Sequence, residues 1–142
     1  MILFLDFDGV LHPFSRPDGP LTLVPRFERF MRQHPEVKIV VSSAWREVYE
    51  LEELQSFFSA DIAERIIDAT PILDSALHEH VREKEILAWL EANGRRHEEW
   101  AAIDDTSWFF APDCPNLVLV DGEQGFGAAS EEALRMRFEN EA

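Results

Sequence analysis

The chain is short of cations and of thiols, and each shortage excludes functions. Its 13 Lys and Arg face 28 Asp and Glu, a formal charge of -15. A field of that sign repels polyanions, so non-specific binding along an extended nucleic-acid track is not expected. The single cysteine, Cys114, has no partner within the chain, which excludes an internal disulfide framework and fits a reducing, cytoplasmic compartment. It lies between Pro112-Asp113 and Pro115 with no histidine near it in sequence, the setting of a structural thiol. Long apolar runs are missing too. The first, Ile2 to Leu5, is too short to span a membrane and leads into acids where a signal peptide would stay apolar. There is no low-complexity tract and no internal repeat. With 142 residues, 11 of them Phe and 4 Trp, the chain is expected to form one domain over residues 1–142 and to bury about two thirds of the surface its unfolded form exposes.

What is present is concentrated at the N-terminus. The apolar run ends in Asp6-Phe7-Asp8-Gly9-Val10 and breaks at His12-Pro13. A run without polar alternation reads as a central strand covered on both faces, and a carboxylate at its buried edge is costly unless compensated. Side-chain alternation aims Asp6 and Asp8 to one side wherever the backbone stays extended, and a hard cation is the natural partner of such oxygens. An EF-hand loop also opens with D-x-D, but it needs Gly at its sixth position and Glu at its twelfth; here those positions hold Leu11 and Pro17. A solvated turn carrying two incidental acids is the remaining alternative.

Strand-like runs recur at Ile2 to Asp6, Val37 to Ser43, Arg65 to Asp68, Trp100 to Asp104 and Leu117 to Val120. Helical patterns lie between and after them: Pro25 to His34, Arg46 to Phe58, His78 to Asn93 closed by Gly94, and Ser130 to Asn140 with Ser130 as the expected cap. This alternation predicts an α/β sandwich with a parallel sheet, whose ligands bind beyond the carboxyl ends of the strands. Asp6 and Asp8, Ser42 and Ser43, Asp104 and Asp105, and Asp121 all fall there.

In chain order, LDFDGV, VVSSAWR, the helical Lys84 of REKEILAWL, and AAIDD resemble the four motifs of the haloacid dehalogenase (HAD) superfamily. The resemblance covers Ile2 to about Val120, and VVSSAWR with the short chain is most similar to the small HAD domains of RNA-repair and polynucleotide phosphatase proteins. It implies a three-layer, Rossmann-like fold with a five-stranded parallel sheet. It also implies a Mg²⁺-dependent phosphatase: Asp6 as nucleophile forming an aspartyl-phosphate, Asp8 as general acid and then base, Ser43 or else Ser42 donating to a phosphate oxygen, and Lys84 neutralising the phosphoryl charge. Mg²⁺ would be held by the Asp6 carboxylate, the Asp8 carbonyl and Asp105, with Asp104 behind it. Arg46 would reach a substrate phosphate or pair with nearby glutamates, and His12 would touch substrate or pack in its loop. No stretch is long enough for a full cap domain, which by resemblance implies a large phosphorylated substrate, a nucleic-acid terminus or a phosphoprotein. The alternative is a non-catalytic metal- or phosphate-binding module whose acidic surface docks a basic partner.

Overall fold

The computed structural model describes residues 1–139. Five strands, β1 (Ile2–Leu5), β2 (Lys38–Val41), β3 (Ile66–Ala69), β4 (Trp100–Asp104) and β5 (Leu117–Leu119), form one sheet in the order β3-β2-β1-β4-β5. Every neighbouring pair is parallel. The helices are α1 (Val24–Met31), α2 (Leu51–Ser56), α3 (Ala60–Ala63), α4 (Val81–Ala92) and α5 (Ala128–Glu139). The α/β architecture and the succession of strands are those the sequence predicts, with α3 as an additional short helix ahead of β3.

The central position of β1 explains its uniformly apolar sequence. Leu3 and Leu5 face a core built with Phe27 and Phe30 of α1, Leu54 of α2, Ile62 of α3 and Leu134 and Phe138 of α5. Ile2 and Phe4 face the other side, where Ile86, Trp89 and Leu90 of α4 close the second core. Phe4 stands edge-on to both Trp89 and Trp100, each 5.7 Å away between ring centres. Two cores on opposite faces of one sheet make the three layers. Cys114 packs against the α4-side core, and burial pushes its thiol pKa up, in keeping with a structural thiol.

Where the boundaries differ from expectation, local backbone chemistry is the cause. The helix expected from Arg46 is split into a 3-10 turn, Ala44–Glu47, and α2, which starts at Leu51 where the Glu53 carboxylate accepts the Glu50 N–H (3.1 Å). The helix expected from His78 starts at Val81, because His80 adopts a left-handed conformation (φ 54°). Ser130 does not cap α5 from outside. It lies within the first turn, and its Oγ accepts the Gly127 N–H. Asn140, the expected end of that helix, lies outside the described residues. Residues 6–23, between β1 and α1, form turns and one isolated bridge, so no cap domain is inserted there. Among the described residues no helix is long and apolar enough to cross a membrane.

After Leu5 the chain moves to β2 and β3 on one side and then returns to β4 on the other. The reversal opens a crevice between the carboxyl ends of β1 and β4, the place where such sheets bind ligands. Buried Arg65 fixes the opposite end of the sheet, donating to the carbonyls of Met31 (2.7 Å), His34 and Val37 (2.9 Å). Arg65→Met removes the donors from those three buried carbonyls, of which Met31 and His34 keep a backbone N–H, and should cost about 2–4 kcal/mol, read as a lower urea midpoint at unchanged slope. A midpoint equal to wild type would contradict this role.

Candidate active site

β1 and β4 pair in register, Leu5 opposite Ile103, and the Asp6 N–H continues the ladder onto the Ile103 carbonyl (3.2 Å). Asp6 and Asp104 therefore leave the sheet side by side, with Asp105 next. Carboxylate oxygens of Asp6, Asp104 and Asp105 all lie within 4.8 Å of one another. Asp6 and Asp104 are buried, at 8% and 2% exposure. The backbone makes room for them: Gly9 has φ 77°, and a Cβ there would stand 2.1 Å from Asp105 Oδ2. Only glycine combines that conformation with that approach.

The cluster is electrostatically strained. Burial, reinforced by Asp104 and Asp105, raises the Asp6 pKa well above the carboxylate range, against the Phe7 N–H that Asp6 Oδ1 accepts at 2.9 Å. Burial lifts Asp104 to about 7, with Asp105 adding to the effect and the Thr106 N–H opposing it. Oxygen-only donors of like charge at this spacing fit a hard divalent cation, which reverses the repulsion.

Asp8 points elsewhere. Its Oδ1 is 2.8 Å from His12 Nε2 and 2.8 Å from Arg16 Nη2. The Leu21 N–H donates to His12 Nδ1 (3.0 Å), so the ring proton sits on Nε2 and is given to Asp8. Burial pushes the Asp8 pKa up, but donors on His12, Arg16 and Trp45 outweigh it and the net shift is downward. His12 is thus fully buried and orients Asp8. The Asp8 carboxylate is not part of the three-acid cluster, and Asp104, expected behind the metal, is within it.

The remaining predicted residues separate. Ser43 is engaged: its Oγ accepts the Trp45 N–H (3.2 Å). The Ser42 hydroxyl is buried and has no hydrogen-bond partner. Strand alternation puts Ser42 on the side of Val40, in the α4-facing core with Ile2 and Phe4, which is the side Asp6 and Asp104 continue. Arg46 is buried and spent on structure, donating to the carbonyls of Ser43, Thr70 and Pro71 and pairing with Glu85 at 2.7 Å. Lys84 is exposed on α4. Two residues earlier, about 200° around the helix, Arg82 faces the sheet. Its charge lowers the pKa of both Asp6 and Asp104, and its Nη1 pairs with Glu85 Oε1 at 3.1 Å. Its Nε is buried without a partner. The motif resemblance selects Lys84, the lysine of REKEILAWL; the buried face of α4 runs through Glu85, Ile86 and Trp89, and Arg82, three residues before Glu85 and four before Ile86, borders that face.

A parallel sheet with D-x-D leaving its central strand and an acidic pair leaving the neighbour defines a HAD-type α/β protein. The chain belongs to that superfamily, in its RNA-repair branch: a family model described as "HAD domain in Swiss Army Knife RNA repair proteins" matches residues 2–130. No curated protein matches the chain.

The two serines give a direct check. Ser42→Ala removes a buried donor that has no partner and should leave stability unchanged or slightly raised. Ser43→Ala removes a cap and should cost about 1 kcal/mol. Chemical denaturation of both variants measures the contrast, and equal losses would refute it.

Proposed function

We propose that this chain is a Mg²⁺-dependent phosphatase that hydrolyses a phosphate monoester at a nucleic-acid end through an aspartyl-phosphate on Asp6. The observation that carries the reading is the buried Asp6-Asp104-Asp105 cluster on the same face as two unspent buried donors, Ser42 Oγ and Arg82 Nε. Membership of a HAD family suggests phosphatase-type activity. Mg²⁺ would be held by Asp6, Asp105 and the Asp8 carbonyl, with Asp104 beside them, and would supply positive charge to the phosphoryl oxygens and hold Asp6 ionised.

An ionised Asp6 oxygen attacks phosphorus and the bond to the leaving oxygen breaks. Asp8 gives its proton to that leaving oxygen. The Asp8 carboxylate then takes a proton from water, which attacks the aspartyl-phosphate, releasing inorganic phosphate and restoring Asp6. At rest Asp8 is in the ionised form that serves the second step, and an approaching phosphate dianion raises its pKa towards the form that serves the first. Ser42, in place of Ser43, donates to a phosphoryl oxygen. Arg82, in place of Lys84, carries the charge that balances it. The absence of an inserted cap within residues 6–23 and the RNA-repair description of the family favour a nucleic-acid terminus over a phosphoprotein. The charge of -15 favours a terminus over a long track.

The test is phosphate release with Mg²⁺ from p-nitrophenyl phosphate and from phosphorylated oligonucleotides. Asp6→Asn should abolish turnover, Arg82→Met should lower kcat about 100-fold or more, and Lys84→Met should stay within about twofold of wild type, as expected of an exposed charge. Turnover by folded Asp6→Asn at the wild-type rate would refute the nucleophile. A wild-type protein that binds phosphate but turns over none of these esters would instead be the non-catalytic module.

A further inference from the structure

A cleft of about 420 Å³ opens from the proposed acid and base Asp8, lined by Asp8, Arg16, Trp45, Val48 and Tyr49 among others. That size falls within the ~300–1,000 Å³ range of small-molecule sites. Trp45 is pinned from behind. Its ring packs on Phe7 at 5.1 Å, on Tyr49 at 5.6 Å and edge-on to Phe57 at 5.7 Å, while Ser43 Oγ holds its backbone N–H. Over its open face lies the planar guanidinium of Arg16, 5.4 Å from the ring centre, which also reaches Asp8. Val48 is 77% exposed at the cleft. A fixed indole, a half-exposed flat cation and an exposed aliphatic wall next to the proposed proton donor match a planar aromatic ligand attached to the reacting phosphate.

We propose that this cleft receives the base of the terminal nucleotide, stacked on Trp45 and Tyr49, with Arg16 moving from the indole face to the nucleotide's phosphodiester or ribose oxygens. The proposal rests on the phosphatase reading for its location and deepens it by naming the group that follows the scissile phosphate. A nucleobase is favoured over a peptide because the cleft pairs an aromatic platform with one cation and offers, in Asp8, only an acceptor already paired with His12 and Arg16. Every base has a face to stack, so the site selects for a base and not for a sequence.

The experiment compares kcat/KM, and in parallel calorimetric affinity, for nucleoside 3′- and 5′-monophosphates and a phosphoserine peptide against ribose 5-phosphate, in wild type, Val48→Met and Trp45→Leu. Val48 is 77% exposed, so a longer side chain without an aromatic face crowds the cleft without entering the core, which covers the case in which Trp45→Leu fails to fold. Wild type should prefer at least one nucleotide by roughly 10- to 100-fold, the range that stacking one base contributes, and the preference should fall towards one in Val48→Met. A wild-type preference near one, a preference unchanged in Val48→Met, or a phosphopeptide that binds better than every nucleotide and weakens in Val48→Met would overturn it. If wild type turns over none of these compounds or p-nitrophenyl phosphate, the phosphatase reading fails by itself, and the affinities still decide whether the cleft holds a base.

Discussion

Three carboxylates forced together at the carboxyl ends of β1 and β4, two of them buried, are the constraint on which the rest of the molecule depends. Parallel pairing of β1 with β4 brings Asp6 beside Asp104, and Gly9 lets the chain turn close enough to touch Asp105. No apolar packing reward accounts for such an arrangement. Burial and mutual repulsion raise Asp6 and Asp104, so the crevice holds unfavourable energy that a bound cation would convert into affinity.

Positive charge is arranged around that cluster at second hand. Glu85, 1% exposed, accepts from Arg46 on one oxygen and Arg82 on the other. Two guanidinium groups on one carboxylate leave a net positive charge facing the acids. Arg46, clamped to the carbonyls of Ser43, Thr70 and Pro71, ties the Ser42-Ser43 strand end to the loop ahead of α4. A buried network of this kind contributes little net stability, but it holds Arg82 in a position that a long, unsupported side chain would not keep. Asp8 is held in a different way, by His12 and Arg16, and so is separated electrically from Asp6 two residues away.

The fold was legible because its signals are collective: uniformly apolar strands, helices between them and polar residues at the strand ends each point to the same sheet. The site was legible down to the motif and not to the residue. Ser42 and Ser43 differ by one step of strand alternation, which puts Ser42 on the side that Asp6 and Asp104 continue, while Ser43 Oγ accepts the Trp45 N–H. Lys84 and Arg82 differ by two residues, about 200° of helix rotation, and both stand among charged neighbours in sequence, so only the packing of Glu85, Ile86 and Trp89 shows which of them lies beside the buried face. Arg46 looked equally suited to substrate and to glutamate, and its partner Glu85 lies 39 residues on, a distance at which sequence pattern is silent. The cleft at Trp45 had no signal, because the tryptophan of VVSSAWR reads as core until its packing is seen.

The most direct test of a metal site built on strained carboxylates is the melting temperature with saturating Mg²⁺ against NaCl of equal ionic strength, at pH 8 and at pH 5. Asp104 has a folded-state pKa of about 7 against an ordinary 3.8, so the metal-free fold binds a proton that the unfolded chain releases. Its destabilising effect is therefore absent below the ordinary value, grows as pH rises and is complete above about 7. Saturation at roughly a hundred times Kd stabilises by about 2.7 kcal/mol. That is a rise of about 5–10 °C for a domain of this size, expected at pH 8, smaller at pH 5 where protons compete, and reduced by Asp105→Asn at both. Equal shifts from Mg²⁺ and NaCl at pH 8 would contradict the account.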